Sequence, residues 1–449
     1  MASAILFAVR APRRQSELAL LGSVLLAGLG QCPAQAGALE DYVKAPDSSF
    51  QWKRTEQIKT PRGTLTHLEL ISQTWRGLFW SHHLMVLRPE PVRYPTIAAL
   101  FITGGGYNAP NEKDLGLYEY VARQSGALVA VLNKVPNQPL YDGRKEDTLI
   151  AYTFEQFMRT GDESWPLLFP MVKSAVRAMD TVQAFAPREF NQRVEGFVVA
   201  GSSKRGWTTW LTGAVDPRVK AIAPMVIDML NMKQQIEWAE KVYGRQSEQI
   251  SDYTDLNLHL KMDEPAMVKL RGYVDPYSYR ARYTMPKLIL LGTNDPYWTV
   301  DSLRHYWNDL PEPKLIFQTP NGGHDLAGAK DAFQTLAAWF QMIAAGSQLP
   351  KLEWSFQPDG GAVKAAVQAS QPPTKVTLWT ADSKDRDFRD DQWSSRELEL
   401  KPGSTAASVS IPTPAQGYRA FLLEVTLNSP AGLAYRLSTE ARVTPDGVR

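Results

Sequence analysis

Six apolar runs of strand length, separated by stretches of helical periodicity, constrain the fold more than any other feature. They are Thr96–Thr103, Ala127–Val135, Val194–Gly201, Lys220–Ile227, Lys287–Gly292 and Lys314–Thr319. Strands buried on both faces read as continuous apolar runs, and strands joined through helices run parallel. An α/β domain is therefore expected over residues 37–346, its mostly parallel sheet with helices on both faces running from about residue 60. The helices carry the matching period. Met171, Ala175, Met179 and Val182 share one stripe of "FPMVKSAVRAMDTVQAFA", and "AFQTLAAWFQMIAAG" (Ala332–Gly346) closes the region in the same way. The earlier "THLELISQTWRGLFWSHHLMVLRP" alternates as antiparallel strands do.

Three segments fall outside this pattern. Leu230 to Met285 separates two strands by more than one crossover helix needs, which predicts a cap insertion over about residues 230–285. Its Trp238, Tyr243, Tyr253 and Tyr273 either line a pocket or form the cap's own core. From residue 350 to 449, short alternating runs separated by "PDGG", "QPP", "KPGS" and "NSPAG" predict a C-terminal all-β sandwich. At the N-terminus, Arg10, Arg13 and Arg14 precede "LALLGSVLLAGLG" and the small-residue site Ala34-Gln35-Ala36, the pattern of a cleaved signal peptide over residues 1–36. The residues after Arg13-Arg14 fit a twin-arginine signal poorly, so the general secretory route is expected.

That leader excludes several classes of function. Its apolar run is too short for a bilayer, so no stable membrane insertion is expected, and the chain is placed as secreted or periplasmic. The only cysteine, Cys32, lies within the leader, so the mature chain can hold neither a disulfide nor a cysteine-ligated metal. No metal and no cofactor is expected. With 49 basic and 47 acidic residues, the net charge of +2 gives no electrostatic footprint for nucleic acid.

The chemistry is concentrated where Val194–Gly201 leaves the sheet through "GSSKRG". A parallel strand that ends in Gly-x-Ser and passes straight into a helix forms a nucleophile elbow, as in the α/β-hydrolase fold. Gly201 stands two positions before Ser203, which selects Ser203 over Ser202. The following glycine, Gly206, comes three positions later, and Arg205 occupies the usual place of the second glycine. On structural grounds alone Gly201-Ser202-Ser203 is also an adequate N-cap. The helix N-terminus favours a developing oxyanion, with the Lys204 amide as one donor. Gly105 and Gly106 of "FITGGGYN" are expected to supply the other. Cations at a helix start oppose its dipole, so Lys204 and Arg205 either point to solvent or serve the site, Lys204 by meeting the oxyanion or an anionic substrate group.

A serine nucleophile needs a base and an orienting carboxylate, in the chain order serine, acid, histidine. "KLILLGTNDPYW" puts Asp295 just past a strand, and "KLIFQTPNGGHDL" puts His324 just past the next. Of the six histidines only His324 has that placement. Asp228, in "APMVIDMLN", is the alternative acid. Asp325 is near by sequence but is expected to cap the following helix. Ser203, His324 and Asp295 together predict a hydrolase that cleaves an ester or amide through an acyl-enzyme. The partner would be a small-molecule, peptide or carbohydrate-ester substrate. The sandwich and thirteen tryptophans are compatible with a carbohydrate or cell-envelope ester, although so many tryptophans more often build an aromatic core, and a peptidase is the runner-up. A secreted binding or signalling protein on the same scaffold is the rival from another class.

The stretches "LISQTWRG", "GGGYN", "EDTLIAYTFEQF", "PMVKSAVRAMDTVQ", "GSSKRGWTTWL", "VIDMLNM", "DPYSYRARYTMPKLILLGTNDPYW" and "PNGGHDL" resemble the PhoPQ-activated pathogenicity-related family over roughly residues 60–330. That group also includes a secreted proliferation repressor of a social amoeba. Ser202 stands where the family usually has alanine, which leaves Ser203 in place. The resemblance implies a secreted α/β-hydrolase-like fold with a link to virulence and regulation. The turn also looks like that of glucuronoyl esterases, and this second likeness implies that Lys204 assists the oxyanion.

Overall fold

Strands buried on both sides must alternate their side chains between two cores. In a computed structural model, which describes residues 37–106 and 112–448, the central strands do so. Leu100 and Ile102 enter one core while Ala99 and Phe101 enter the other. Residues 1–36, where the signal peptide is expected and Cys32 lies, and Tyr107 and Asn108 of "GGGYN" lie outside the described residues.

The main sheet contains β1 (Gln51–Thr60), β2 (Gly63–Trp75), β3 (Leu78–Pro89), β4 (Ile97–Ile102), β5 (Leu128–Leu132), β6 (Gly196–Ser202), β7 (Val219–Met225), β8 (Lys287–Gly292) and β9 (Lys314–Thr319). Its order is β1-β2-β3-β5-β4-β6-β7-β8-β9. Pairing is antiparallel from β1 through β3 to β5 and parallel from β5 to β9. This is the α/β-hydrolase fold. Helices Leu168–Phe190 and Lys204–Val215 pack on one face, and helices Glu112–Ser125 and Lys330–Ala344 on the other. The predicted stripe of Met171, Ala175, Met179 and Val182 is fully buried. Between β7 and β8 the inserted segment folds as helices Met232–Tyr243 and Pro265–Val274 with short helical turns.

After the last helix the chain forms two antiparallel sheets. One holds Leu352–Asp359, Ala362–Ala369 and Ala406–Pro412. The other holds Ser394–Glu397, Lys375–Ser383, Tyr418–Asn428 and Ala434–Ser438, with Arg442–Thr444 paired to Tyr418–Asn428. Val367 from the first sheet and Val376 and Leu423 from the second share a core with Leu336 and Trp339 of helix Lys330–Ala344. The sandwich therefore continues the core of the sheet, and residue 350 marks a change of texture along the chain without a gap in packing.

Candidate active site

The turn after β6 holds a residue other than glycine at positive φ. Ser203 has φ 57 and ψ −125, a conformation that costs a non-glycine residue about 1–3 kcal/mol and persists only where its surroundings enforce it. Here its N–H donates to the carbonyl of Met225 on β7 at 2.8 Å, pinning the turn to the neighbouring strand. Both flanking glycines are sterically required. A Cβ at Gly201 would lie 2.6 Å from the Arg205 carbonyl oxygen. One at Gly206 would lie 2.7 Å from Ile227 Cγ2 and 2.9 Å from the Gly201 and Met225 carbonyl oxygens. The late second glycine is thus the point where the helix crosses the two strand ends. Ser202, by contrast, is exposed at the end of β6.

The two cations after the serine are buried and paired. Lys204 Nζ lies 2.7 Å from Asp147, and the Arg205 guanidinium donates to both carboxylate oxygens of Glu146, each at 2.7 Å. Arg205 also donates to the Val135 carbonyl. It lies against Gly104, where a Cβ would come within 2.1 Å of its Nη2. Glu146 and Asp147 open helix Glu146–Thr160, where acids suit the dipole. Burial alone would raise the Glu146 carboxyl, but the hydrogen bonds and charge of Arg205 outweigh it and hold the group at about 2. Lys204 and Arg205 therefore do not point to solvent. Sequence reasoning missed Glu146 and Asp147 as their partners, although two adjacent acids opening a helix were the available signal.

His324 and Asp295 sit on the loops after β9 and β8. His324 Nδ1 is 2.8 Å from Asp295 Oδ2, and the Tyr297 amide donates to Asp295 Oδ1 at 3.0 Å. The imidazole lies against the Tyr297 ring, with centroids 4.4 Å apart. With Nδ1 engaged, Nε2 is buried and has no hydrogen-bond partner among the described residues. The two loops run backbone to backbone: a Cβ at Gly292 would lie 2.2 Å from the Gly322 carbonyl oxygen. Asp228, the alternative acid, is buried within range of the Asp295 charge and accepts from Tyr306 Oη at 2.7 Å. Burial pushes its carboxyl up to about 7 despite that hydrogen bond. Asp325 accepts from the Ala327 amide within its own turn and does not cap the helix that begins at Lys330.

The C-terminal sheets reach these same loops. Asn294 Nδ2 donates to the carbonyls of Phe388 and Asp391 at 3.0 and 2.7 Å. Asn321 exchanges a pair of hydrogen bonds with the backbone of Trp393, at 3.0 and 2.8 Å. One segment of the sandwich thus holds the neighbour of Asp295 and the loop of His324 together.

Two cavities meet at Ser203, Lys204 and Tyr297. One is a cleft that also contains His324, Gly201 and Gly104. Gly104, and neither Gly105 nor Gly106, lines it among the described residues; those two are exposed beyond it. The first glycine of the run is the one pressed against Arg205. The other cavity runs beneath the cap, is almost wholly apolar and has a volume of about 110 Å³. Of the four cap aromatics, Tyr253 lines it. Trp238 and Tyr243 face Arg386 and Arg389 of the sandwich, and Tyr273 packs on Phe157 and Phe169.

The arrangement joins an alcohol on a strained turn to an imidazole–carboxylate pair across one cleft, a set suited to acyl transfer. Among solved structures, the chain is similar to acetyl xylan esterase 1 from Thermoanaerobacterium sp. JW/SL YS485, with 16% identity, TM-score 0.48, and coverage of 69% of this chain and 92% of that one. It is also similar to a glucuronoyl esterase from Solibacter usitatus, with 11% identity, TM-score 0.44, and coverage of 69% and 91%. Autocrine proliferation repressor protein A of Dictyostelium discoideum is 34% identical over 425 residues, 86% of this chain and 85% of that protein. The sequence model of PhoPQ-activated pathogenicity-related protein matches residues 39–389. The chain belongs to the PhoPQ-activated pathogenicity-related protein family.

Proposed function

We propose that the protein is a serine hydrolase that cleaves an ester through an acyl-enzyme, with Ser203 as nucleophile, His324 as general base and acid, and Asp295 as its orienter. The observation that carries this is that a strained Ser203 and a buried His324 Nε2, which has no hydrogen-bond partner among the described residues, line one cleft. Ser203 Oγ attacks the carbonyl carbon while its proton passes to Nε2. The carbonyl π electrons move to oxygen, and the oxyanion is held by the Lys204 amide at the helix start, with the Gly104–Gly106 turn supplying a second donor. The imidazolium is stabilised by Asp295. It then gives its proton to the leaving oxygen as the carbon–oxygen bond breaks and the alcohol departs. Water, deprotonated by the same nitrogen, releases the acid and restores Ser203. No hydrogen bond joins Ser203 to Nε2 among the described residues; both line one cleft, and the mechanism requires that they come into contact when substrate binds.

Lys204 Nζ is committed to Asp147, so it sets the turn, and its amide faces the oxyanion. The arginine-led apolar leader at residues 1–36 supports action outside the cytoplasm. A fluorophosphonate probe tests the mechanism. Labelling of the purified chain that disappears in Ser203→Ala supports it, whereas no labelling of the wild type replaces it with a binding protein on a hydrolase scaffold.

A further inference from the structure

The two cavities share Ser203 but differ in chemistry, and that difference assigns the two ends of the substrate. His324 lines the cleft and is absent from the lining of the chamber beneath the cap. Its Nε2 must deliver a proton to the leaving oxygen, so the alcohol portion occupies the cleft. In the tetrahedral intermediate the carbonyl carbon bears Oγ, the oxyanion, the leaving oxygen and the acyl substituent. Once the oxyanion faces the helix start and the leaving oxygen faces His324, the remaining direction from Ser203 is the chamber.

We infer that the chamber beneath the cap binds the acyl group, and that this group is apolar and a few carbons long or a single small ring. The inference rests on the serine-hydrolase proposal and names its substrate class. Phe154, Trp207, Met229, Met232, Ile236 and Met267 supply apolar walls. The chamber's volume, about 110 Å³, is somewhat below the roughly 150 Å³ apolar void that accepts a benzene molecule. An acetyl group would leave it largely unfilled and forgo the gain from apolar burial. A charged acyl group would lose its hydration there. The methionines adapt their shape, so the limit on length is soft. Of the polar groups that line it, Asp147 is held by Lys204 and Tyr253, and Arg271 gives its Nη2 to the Met262 carbonyl at 2.9 Å. Arg271 Nε, His259 Nδ1 and Trp298 Nε1 are buried without a hydrogen-bond partner among the described residues, so the hemisuccinyl ester is the decisive arm of the test.

The test is a series of p-nitrophenyl esters, acetyl, butyryl, hexanoyl, decanoyl and hemisuccinyl, run on the wild type, Ser203→Ala, Ile236→Phe and Met267→Ala. Each buried methylene is worth about fourfold in rate, so kcat/KM is expected to rise about tenfold or more from acetyl to butyryl and to fall by decanoyl. Ile236→Phe should move the optimum towards acetyl, and Met267→Ala towards longer chains. A wild-type profile that is flat or falls from acetyl to hexanoyl, or a hemisuccinyl ester turned over faster than the butyryl ester, overturns the acyl assignment. In either case Ser203-dependent turnover leaves the hydrolase itself intact. If no ester in the series is turned over in a Ser203-dependent way and no fluorophosphonate label reaches Ser203, both proposals fall. The wild-type profile decides the matter even if a cap variant does not fold.

Discussion

Ser203 and the His324–Asp295 pair arrive at one cleft by different routes. The serine is positioned by its own neighbourhood: a strand end, two glycines without room for a Cβ, and one hydrogen bond to the adjacent strand. The histidine and aspartate stand on two loops tied to a segment of the sandwich 72–97 residues away along the chain. One half of the site is a local property of the backbone, and the other depends on a long-range docking. The first half should therefore fail by chemistry or steric clash, and the second by loosening.

The largest effects are expected on the reacting groups. Ser203→Ala or His324→Ala should lower kcat/KM by at least about 10³-fold, and Asp295→Asn by roughly 10⁴-fold, read with the best ester of the series. Asp228→Asn should change turnover by less than about threefold, since that carboxyl is bound to Tyr306 and takes no part in the relay. If Asp228→Asn removes activity and Asp295→Asn does not, the roles are reversed. Next comes the turn itself. Gly206→Ala pushes a methyl group into Ile227 and two carbonyl oxygens and should cost about 1–3 kcal/mol, seen as a lowered Tm.

The docking side sharpens the comparison with smaller numbers. Asn321→Ala removes both hydrogen bonds to Trp393 and should cost about 1–2 kcal/mol of stability. Turnover should fall with it while KM stays put, because the His324 loop moves and the acyl chamber does not. An equal loss from an exposed alanine substitution elsewhere in the sandwich would break the distinction. The weakest expected effect is a pH dependence. Glu146 is held at about 2 against an ordinary value of 4.5, so its ion pair with Arg205 stabilises the fold above pH 4.5. That contribution is lost as pH falls from 4.5 through about 2. In Glu146→Gln the acid limb of the stability profile should flatten over that window, with little change at neutral pH.

What could be read from the sequence follows the same division. Buried parallel strands announce themselves by composition, and β8 and β9 begin and end at the residues expected from their apolar runs. The elbow was legible because Gly-x-Ser, the strand and the helix are contiguous. The His324–Asp295 contact was legible because each follows a strand end in chain order. The partners of Lys204 and Arg205 were not, since Glu146 and Asp147 lie nearly 60 residues away on another helix. Nor was the hold of Phe388, Asp391 and Trp393 on the two loops, which uses their backbone groups and leaves no mark in residue type. The glycine run showed where the chain approaches the site. Which of its glycines meets Arg205 depended on packing alone.

The central claim is that the Ser203 hydroxyl is the nucleophile activated across the cleft by His324. Mass-spectrometric mapping of the residue modified by a fluorophosphonate tests it most directly. A single phosphonylated site is expected at Ser203, absent in Ser203→Ala and formed much more slowly in His324→Ala. Modification at another serine, or labelling at Ser203 that proceeds at the same rate without His324, would contradict it.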